Sequence, residues 1–204
     1  MFATGCAASD DDAEATPSET SAPTASQTTP TETTPPASET PDPTGEAGAV
    51  VLPGCDTILS AETIESLSEG AEELPQFSEQ PATEVMPGPA AVEAAEAATE
   101  TKNCGFGVPN SDSGVLSVVT AELPTDAKDT FIATLEEDGF SEITVDGSTG
   151  YIGPGEEHGL SGELANVVYG FEGNVWVTVH GYLDEEDIQP IADEAMANVL
   201  AANS

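Results

Sequence analysis

Histidines, serines and cysteines are the residues of this chain whose types could support catalysis or metal binding. Its two histidines are His158, in Gly-Glu-Glu-His-Gly, and His180, which precedes Gly181. Hydrolytic triads combine Ser or Cys with His and an acid, but no Gly-x-Ser-x-Gly motif is present. No Cys-x-x-Cys motif, phosphate-binding loop or calcium-loop motif occurs either, although Glu156-Glu157-His158 could touch a metal. We therefore predict no catalytic residues, no metal site and no cofactor.

The three cysteines indicate two other chemistries, and the first is lipid attachment at Cys6. The run Phe-Ala-Thr-Gly-Cys ends at this residue and is typical of a bacterial lipobox, where a peptidase cuts before a cysteine that carries diacylglycerol. Only five residues precede Cys6, which is too few for the basic and apolar regions of a signal peptide. We interpret the chain as trimmed, or as begun from too late a start site; the alternative is an incidental cysteine. A diacylglyceryl thioether, usually with a third acyl chain, would anchor the protein stably.

The second chemistry is a disulfide bond between Cys55 and Cys104. An even pair of cysteines in an exported chain predicts a bond, because extracytoplasmic compartments are oxidising. The bond would close a loop of about 50 residues, which in the chain-entropy model stabilises a domain by about 4 kcal/mol. The alternative is two unpaired thiols.

Acidity is the strongest signal in the composition. The 204 residues include 39 acids against two cations, Lys102 and Lys128, and the net charge is −37. Nucleic acid is excluded as a partner, because its phosphates require clustered Lys and Arg, and electrostatic docking on anionic lipid is excluded for the same reason. The acidity fits a self-repelling soluble surface, adaptation to high salt, or a surface for cations or a basic partner.

Two regions of different composition follow one another along the chain. Residues 1–48 are rich in Ser, Thr, Pro, Ala and acids, with no large apolar residue after Cys6. Such a segment cannot bury enough surface to offset its chain entropy, so we predict a disordered, extended tether. Residues 49–204 form the single expected domain. No run of about 18 apolar residues occurs, so no transmembrane helix is predicted.

Helix and strand patterns alternate within the domain. Four helices are predicted: residues 60–68, 90–101, 125–139 and 189–201. Ser60 is the predicted N-cap of the first, Thr125 or Asp126 caps the third before it ends at Gly139, and Pro190 is the first residue of the last. Strands are predicted over 104–108, 115–123, 143–145, 151–152, 164–171 and 175–182. Residues 71–89 and the glycine-rich segment 153–162 are predicted as loops. Short turns between neighbouring strands predict an α+β fold, with one antiparallel sheet, helices packed on one face of it and one disulfide.

The last strand carries the one pattern that resembles a binding site. One of its faces holds three valines, which we assign to the core: Val175, Val177 and Val179. Its other face is the candidate ligand face: Trp176, Thr178, His180 and Tyr182. Either a helix covers this second face, or it is a partly exposed aromatic surface for a ligand.

The order of these features resembles a group of small, mostly uncharacterised actinobacterial lipoproteins. The resemblance rests on a lipobox at Cys6, on the Thr/Pro-rich stalk, on Cys55 in Gly-Cys-Asp-Thr-Ile-Leu and on Cys104 in Asn-Cys-Gly-Phe-Gly. It covers the whole chain through short motifs. It implies a location in the cell envelope, and it brings no established activity or catalytic residues.

We therefore expect a monomeric lipoprotein on the outer face of the cell membrane, whose domain binds a protein, glycan or small ligand without catalysis. One alternative is a secreted hydrolase that acts on cell-wall polymer with buried carboxylates. Another is an acidic structural or surface-coating protein. Facing carboxylates in a cleft would favour the hydrolase, and an open apolar groove at Trp176 would favour the binding protein. A closed sheet without a cleft would favour the structural protein.

Overall fold

The computed structural model describes residues 50–111, 115–154 and 165–204. The tether assigned to residues 1–48, the lipidation residue Cys6, His158 and most of the glycine-rich segment 153–162 lie outside the described residues. The helices are α1 (Cys55–Ile58), α2 (Ala61–Leu67), α3 (Pro75–Ser78), α4 (Ala82–Val85), α5 (Gly88–Ala97), α6 (Thr125–Glu137) and α7 (Glu185–Ala202). The strands are β1 (Glu72–Glu73), β2 (Glu100–Gly107), β3 (Leu116–Glu122), β4 (Ser141–Val145), β5 (Ser148–Pro154), β6 (Ala165–Glu172) and β7 (Val175–Tyr182).

These strands form one antiparallel sheet in the order β1-β2-β3-β7-β6-β5-β4. The predicted hairpin of β6 and β7 closes through a two-residue turn, because Glu172 pairs with Val175. Gly173 has φ 56°, a left-handed conformation that suits glycine in such a turn. β3 pairs along the length of β7 on its other side. The predicted α+β class with an antiparallel sheet is confirmed.

Helices cover both faces of this sheet, which corrects the expectation of helices on one face. Val118 and Val179 belong to a core cluster that α7 covers, whereas Val119 and Trp176 belong to a second cluster with α5 and α6. Successive residues of a strand point to opposite faces, and here both sets are apolar. A sheet that is apolar on both faces requires a helical layer on each.

α7 begins before its predicted start, and α6 lacks the side-chain cap predicted for it. Asp184 caps α7, since its Oδ1 accepts a hydrogen bond from Asp187 N at 3.2 Å, so the helix begins a turn before Pro190. Pro190 therefore lies inside α7 and not at its first position. α6 follows Pro124, and neither Thr125 nor Asp126 caps it with a side-chain hydrogen bond. α2 begins as predicted, with the Ser60 hydroxyl accepting from Thr63 N.

The alanine-rich segment ends earlier than its helix propensity predicts. α5 stops at Ala97, and β2 begins at Glu100, where the helix was expected to continue. Glu100 and Thr101 pair with β3 instead, so long-range strand pairing outweighs local helix preference. Residues 71–89, predicted as loop, also hold β1, α3 and α4.

The predicted disulfide is present. Cys55, at the start of α1, and Cys104, in β2, are joined with a Cα–Cα distance of 5.3 Å. Cys104 is buried in the cluster that α7 covers. The bond therefore ties the first described helix to the sheet.

Loss of this bond should destabilise the domain. We expect the variant Cys55→Ser/Cys104→Ser to lose about 4 kcal/mol of unfolding free energy, because the unfolded chain regains the entropy of an open loop of about 50 residues. The melting temperature, followed by circular dichroism, should fall by about 10 °C. Cys6→Ser is the matched control and should melt like the wild type. Equal melting temperatures for all three proteins would contradict the assigned stabilisation.

Candidate functional site

The candidate ligand face on β7 is buried over most of its length, and its Trp176 packs against α6. Trp176, Thr178 and His180 are buried, and Tyr182 at the end of the strand is 46% exposed. The ring of Phe131, from α6, meets Trp176 edge-on with 5.2 Å between ring centroids. Of the two alternatives that the sequence leaves open, the structure shows the covered one. Trp176 is therefore not part of an open apolar groove, the observation that would have favoured a binding protein at this face.

Four buried polar atoms on this side of the sheet have no hydrogen-bond partner among the described residues. They are Asn103 Oδ1, Trp176 Nε1, Thr178 Oγ1 and His180 Nε2. Burial lowers the pKa of His180 to about 4, so its imidazole is neutral near pH 7. Because Nε2 meets no described hydroxyl or carboxylate, the described residues do not assemble a catalytic triad through it.

An open apolar groove lies one layer further out, between α5 and α6. Its volume is 610 Å³, within the range of about 300–1,000 Å³ that is usual for small-molecule sites. Its apolar lining consists mainly of alanines and one aromatic ring: Ala90, Ala94, Ala97, Ala127 and Phe131. Phe131 lines the groove and also contacts Trp176, so it separates the groove from the buried aromatic cluster.

The sheet positions both walls of the groove. The Tyr169 hydroxyl, in β6, donates a hydrogen bond to Pro87 O at 3.3 Å, where α5 begins. Phe131 meets Tyr169 and Trp176 edge-on and holds α6 against the same face. Each wall is thus fixed to the sheet, and α5 and α6 also contact each other directly beside the groove.

The rim of the groove is acidic. Glu93, Asp126 and Asp138 line it, and all three side chains are exposed. Among the described residues no lysine lines it. The lysine of α6, Lys128, instead donates a hydrogen bond to Gly173 O at 2.6 Å. The groove therefore combines an apolar floor with an acidic rim that no described lysine neutralises.

Sequence reasoning missed this groove, although one signal for it was visible. In the predicted helix over residues 90–101, every apolar residue except Val92 is alanine. Alanine side chains are too small to fill the space against a neighbouring helix, so such a helix leaves room beside it. Which helix would be its neighbour depends on the sheet order, and the sequence does not give that order.

Two further cavities, away from the groove between α5 and α6, are also lined in part by acidic residues. One of 400 Å³ lies beside the disulfide and is lined by Cys55, Lys102 and Asn103 among others. The other, of 440 Å³, lies between α2 and α7. There burial acts to raise the pKa of Glu194, but hydrogen bonds from the Thr63 hydroxyl and from Ser60 N lower it overall. This carboxylate is ionised and fastens the start of α2 to α7, which is a structural role.

Comparisons with known proteins do not narrow the function. No family model, curated protein or solved structure matches the chain. Within the described ranges, no three His, Cys, Asp or Glu side chains converge on a point that could hold a metal ion. None of the helices described is both long and apolar enough to cross a bilayer.

The buried His180 predicts a loss of stability in mild acid. Its pKa is about 4 when folded and about 6.5 when unfolded, so only the unfolded chain takes up a proton between these values. The stabilisation is complete above pH 6.5 and falls by about 3 kcal/mol as the pH drops to 4. Protonation of surface carboxylates relieves repulsion over part of this range, so the comparison between variants is the informative quantity.

We expect His180→Gln to remove this component, whatever its effect on stability at neutral pH. Urea unfolding at several pH values should give a steeper loss of free energy for the wild type than for His180→Gln. Thr178→Val, two residues earlier on β7, removes no titratable group, so its unfolding free energy should change with pH as steeply as that of the wild type. Identical slopes in all three proteins would show that His180 is not protected from protons.

Proposed function

We propose that this chain is a cell-envelope lipoprotein, anchored through Cys6 to the outer face of the membrane, whose domain is a non-enzymatic binding module. The groove between α5 and α6 is its ligand site. One observation carries the proposal: an open apolar groove of 610 Å³ lies over a sheet whose two faces are both covered by helices. Residues 1–48 serve as the spacer between membrane and domain.

Several features support the extracytoplasmic location. The lipobox-like run before Cys6 and the Thr/Pro-rich stalk are typical of bacterial lipoproteins. The bond between Cys55 and Cys104 fits an oxidising compartment, since such bonds are rare in the cytosol. Acidity along the stalk and the domain favours a dispersed, monomeric protein.

The lining of the groove supports binding over catalysis. Its two hydroxyls belong to α6 and donate to that helix's own backbone, Thr130 to Asp126 O and Thr134 to Thr130 O. A nucleophile needs an adjacent general base, and no histidine or cysteine is among the residues that line the groove. An apolar floor with a few polar groups at the edge is typical of a binding site.

The anchor predicts a specific mass. Protein expressed from its genomic locus in its own host should begin at Cys6 and carry diacylglycerol, which intact-mass spectrometry detects. Cys6→Ser should release the protein from the membrane fraction, because no acyl chain can then be attached. Cys55→Ser is the matched control and should remain in that fraction. An unlipidated chain that retains Met1 would overturn the proposed location.

The groove predicts binding of a neutral apolar probe. We expect N-phenyl-1-naphthylamine, which fluoresces in apolar surroundings, to bind the full chain at micromolar concentration. Ala97→Phe places a ring in the groove from an exposed position on α5 and should abolish the signal. Ala201→Phe makes the same change near the end of α7, on the other side of the sheet, and should keep it. Equal signals from the two variants would exclude the groove as the binding site.

A further inference from the structure

We infer that the occupant of the groove between α5 and α6 is a basic, amphipathic segment of another polypeptide. The inference rests on the binding function proposed above and adds the chemical class of the partner. Charge, spacing and the apolar floor each contribute to it.

The charge at the rim selects for a cationic occupant. Glu93 lies on the α5 wall, and Asp126 and Asp138 lie on the α6 wall. No described cation lines the groove, and Lys128 is engaged with the backbone of the β6–β7 turn. An anionic ligand such as a fatty acid would meet only like charge there, whereas Lys or Arg side chains would find partners on both walls.

The spacing of the carboxylates selects for an elongated occupant. Asp126 lies in the first turn of α6 and Asp138 is its C-terminal cap, twelve residues later, which at the usual rise places them about 18 Å apart along the helix axis. A small monocation can reach one of them at a time. A peptide spans the same distance with about six residues if extended, and with about twelve if helical.

The floor of the groove provides the apolar part of the contact. Ala94 and Phe131 are buried and line its base, and Ala97 leaves room above them. One leucine or aromatic side chain of the partner can enter this space, flanked by its basic residues. A buried anchor surrounded by charged pairs is the usual arrangement of a peptide-binding hot spot.

The chain itself is a poor candidate for the occupant. Its tether, residues 1–48, holds nine acids and no cation, so it would be repelled from the rim. A second copy brings the same charge of −37 and offers two lysines, one of them already engaged. The partner is therefore a different polypeptide, of opposite charge.

The test uses three synthetic dodecapeptides with the full chain at physiological ionic strength. The first is an amphipathic peptide of lysine and leucine, the second replaces each lysine with glutamate, and the third replaces each leucine with serine. Binding is measured by isothermal titration calorimetry. The rim variant, Glu93→Gln/Asp126→Asn/Asp138→Asn, removes the charge at the groove. The α2 control, Glu62→Gln/Glu65→Gln/Glu69→Gln, removes the same charge in and just after α2, on the opposite side of the sheet.

We expect the lysine–leucine peptide to bind the wild type and the α2 control alike, and the rim variant about tenfold or more weakly, because three exposed ion pairs are lost. The glutamate peptide should not bind, the serine peptide should bind far more weakly, and Ala97→Phe should abolish binding. The neutral probe should still bind the rim variant, since the floor is unchanged.

Other outcomes separate the two proposals. In one such outcome, Ala97→Phe abolishes probe binding, but the peptide binds the rim variant and the α2 control equally well. This result would overturn the proposal of a basic partner and would keep the groove as a binding site. Equal binding of the serine and leucine peptides would show unspecific attraction to an acidic protein and would overturn the inference. Failure of every peptide and of the probe would overturn the proposed function as well.

Discussion

The antiparallel pairing of β7 with β3 and β6 is the interaction on which the rest of the structure depends. β7 is buried on both faces from Val175 to Gly181, so neither face can remain in water. One face must receive α7, and the other must receive α6 with its Phe131 ring. The disulfide and the edge strands extend this central unit, and the groove exists because the second face needed a helical cover.

The two helical layers meet this need in different ways. α7 presents Ile188, Ile191, Met196 and Val199, whose bulk fills the space above the valine face. α5 presents Ala91, Ala94 and Ala95, which cover the sheet but extend little beyond it. Less apolar area is buried by alanine than by leucine or isoleucine, so α5 contributes less stability per buried residue than α7. Under the proposed binding function, a ligand would supply the missing contacts in the space left beside α5.

The alternation of apolar and polar residues allows much of the fold to be predicted from the sequence. The remainder depends on pairing between strands that are distant in the chain. The β6–β7 hairpin follows from period-2 patterning and a Gly-Asn turn, and the Cys55–Cys104 bond follows from an even cysteine pair. The end of α5 could not be predicted, because Glu100 belongs to a strand only through its partners in β3. The covered state of Trp176 required knowing where α6 lies, and local sequence does not encode this.

The effect of each carboxylate on the proposed partner would depend on its distance from the groove. The screening length is about 8 Å at physiological ionic strength, so only carboxylates close to the groove would contribute to affinity for the proposed basic partner. The total charge of −37 would mainly affect the rate of encounter with that partner. At about 1 M salt the length falls to about 3 Å, and pairs at exposed Glu93, Asp126 and Asp138 would be largely screened. Affinity would then depend on the apolar floor at Phe131, because burial of apolar surface is not weakened by screening. For the proposed partner, the main contribution to affinity would therefore shift from the acidic rim to the apolar floor as the salt concentration rises.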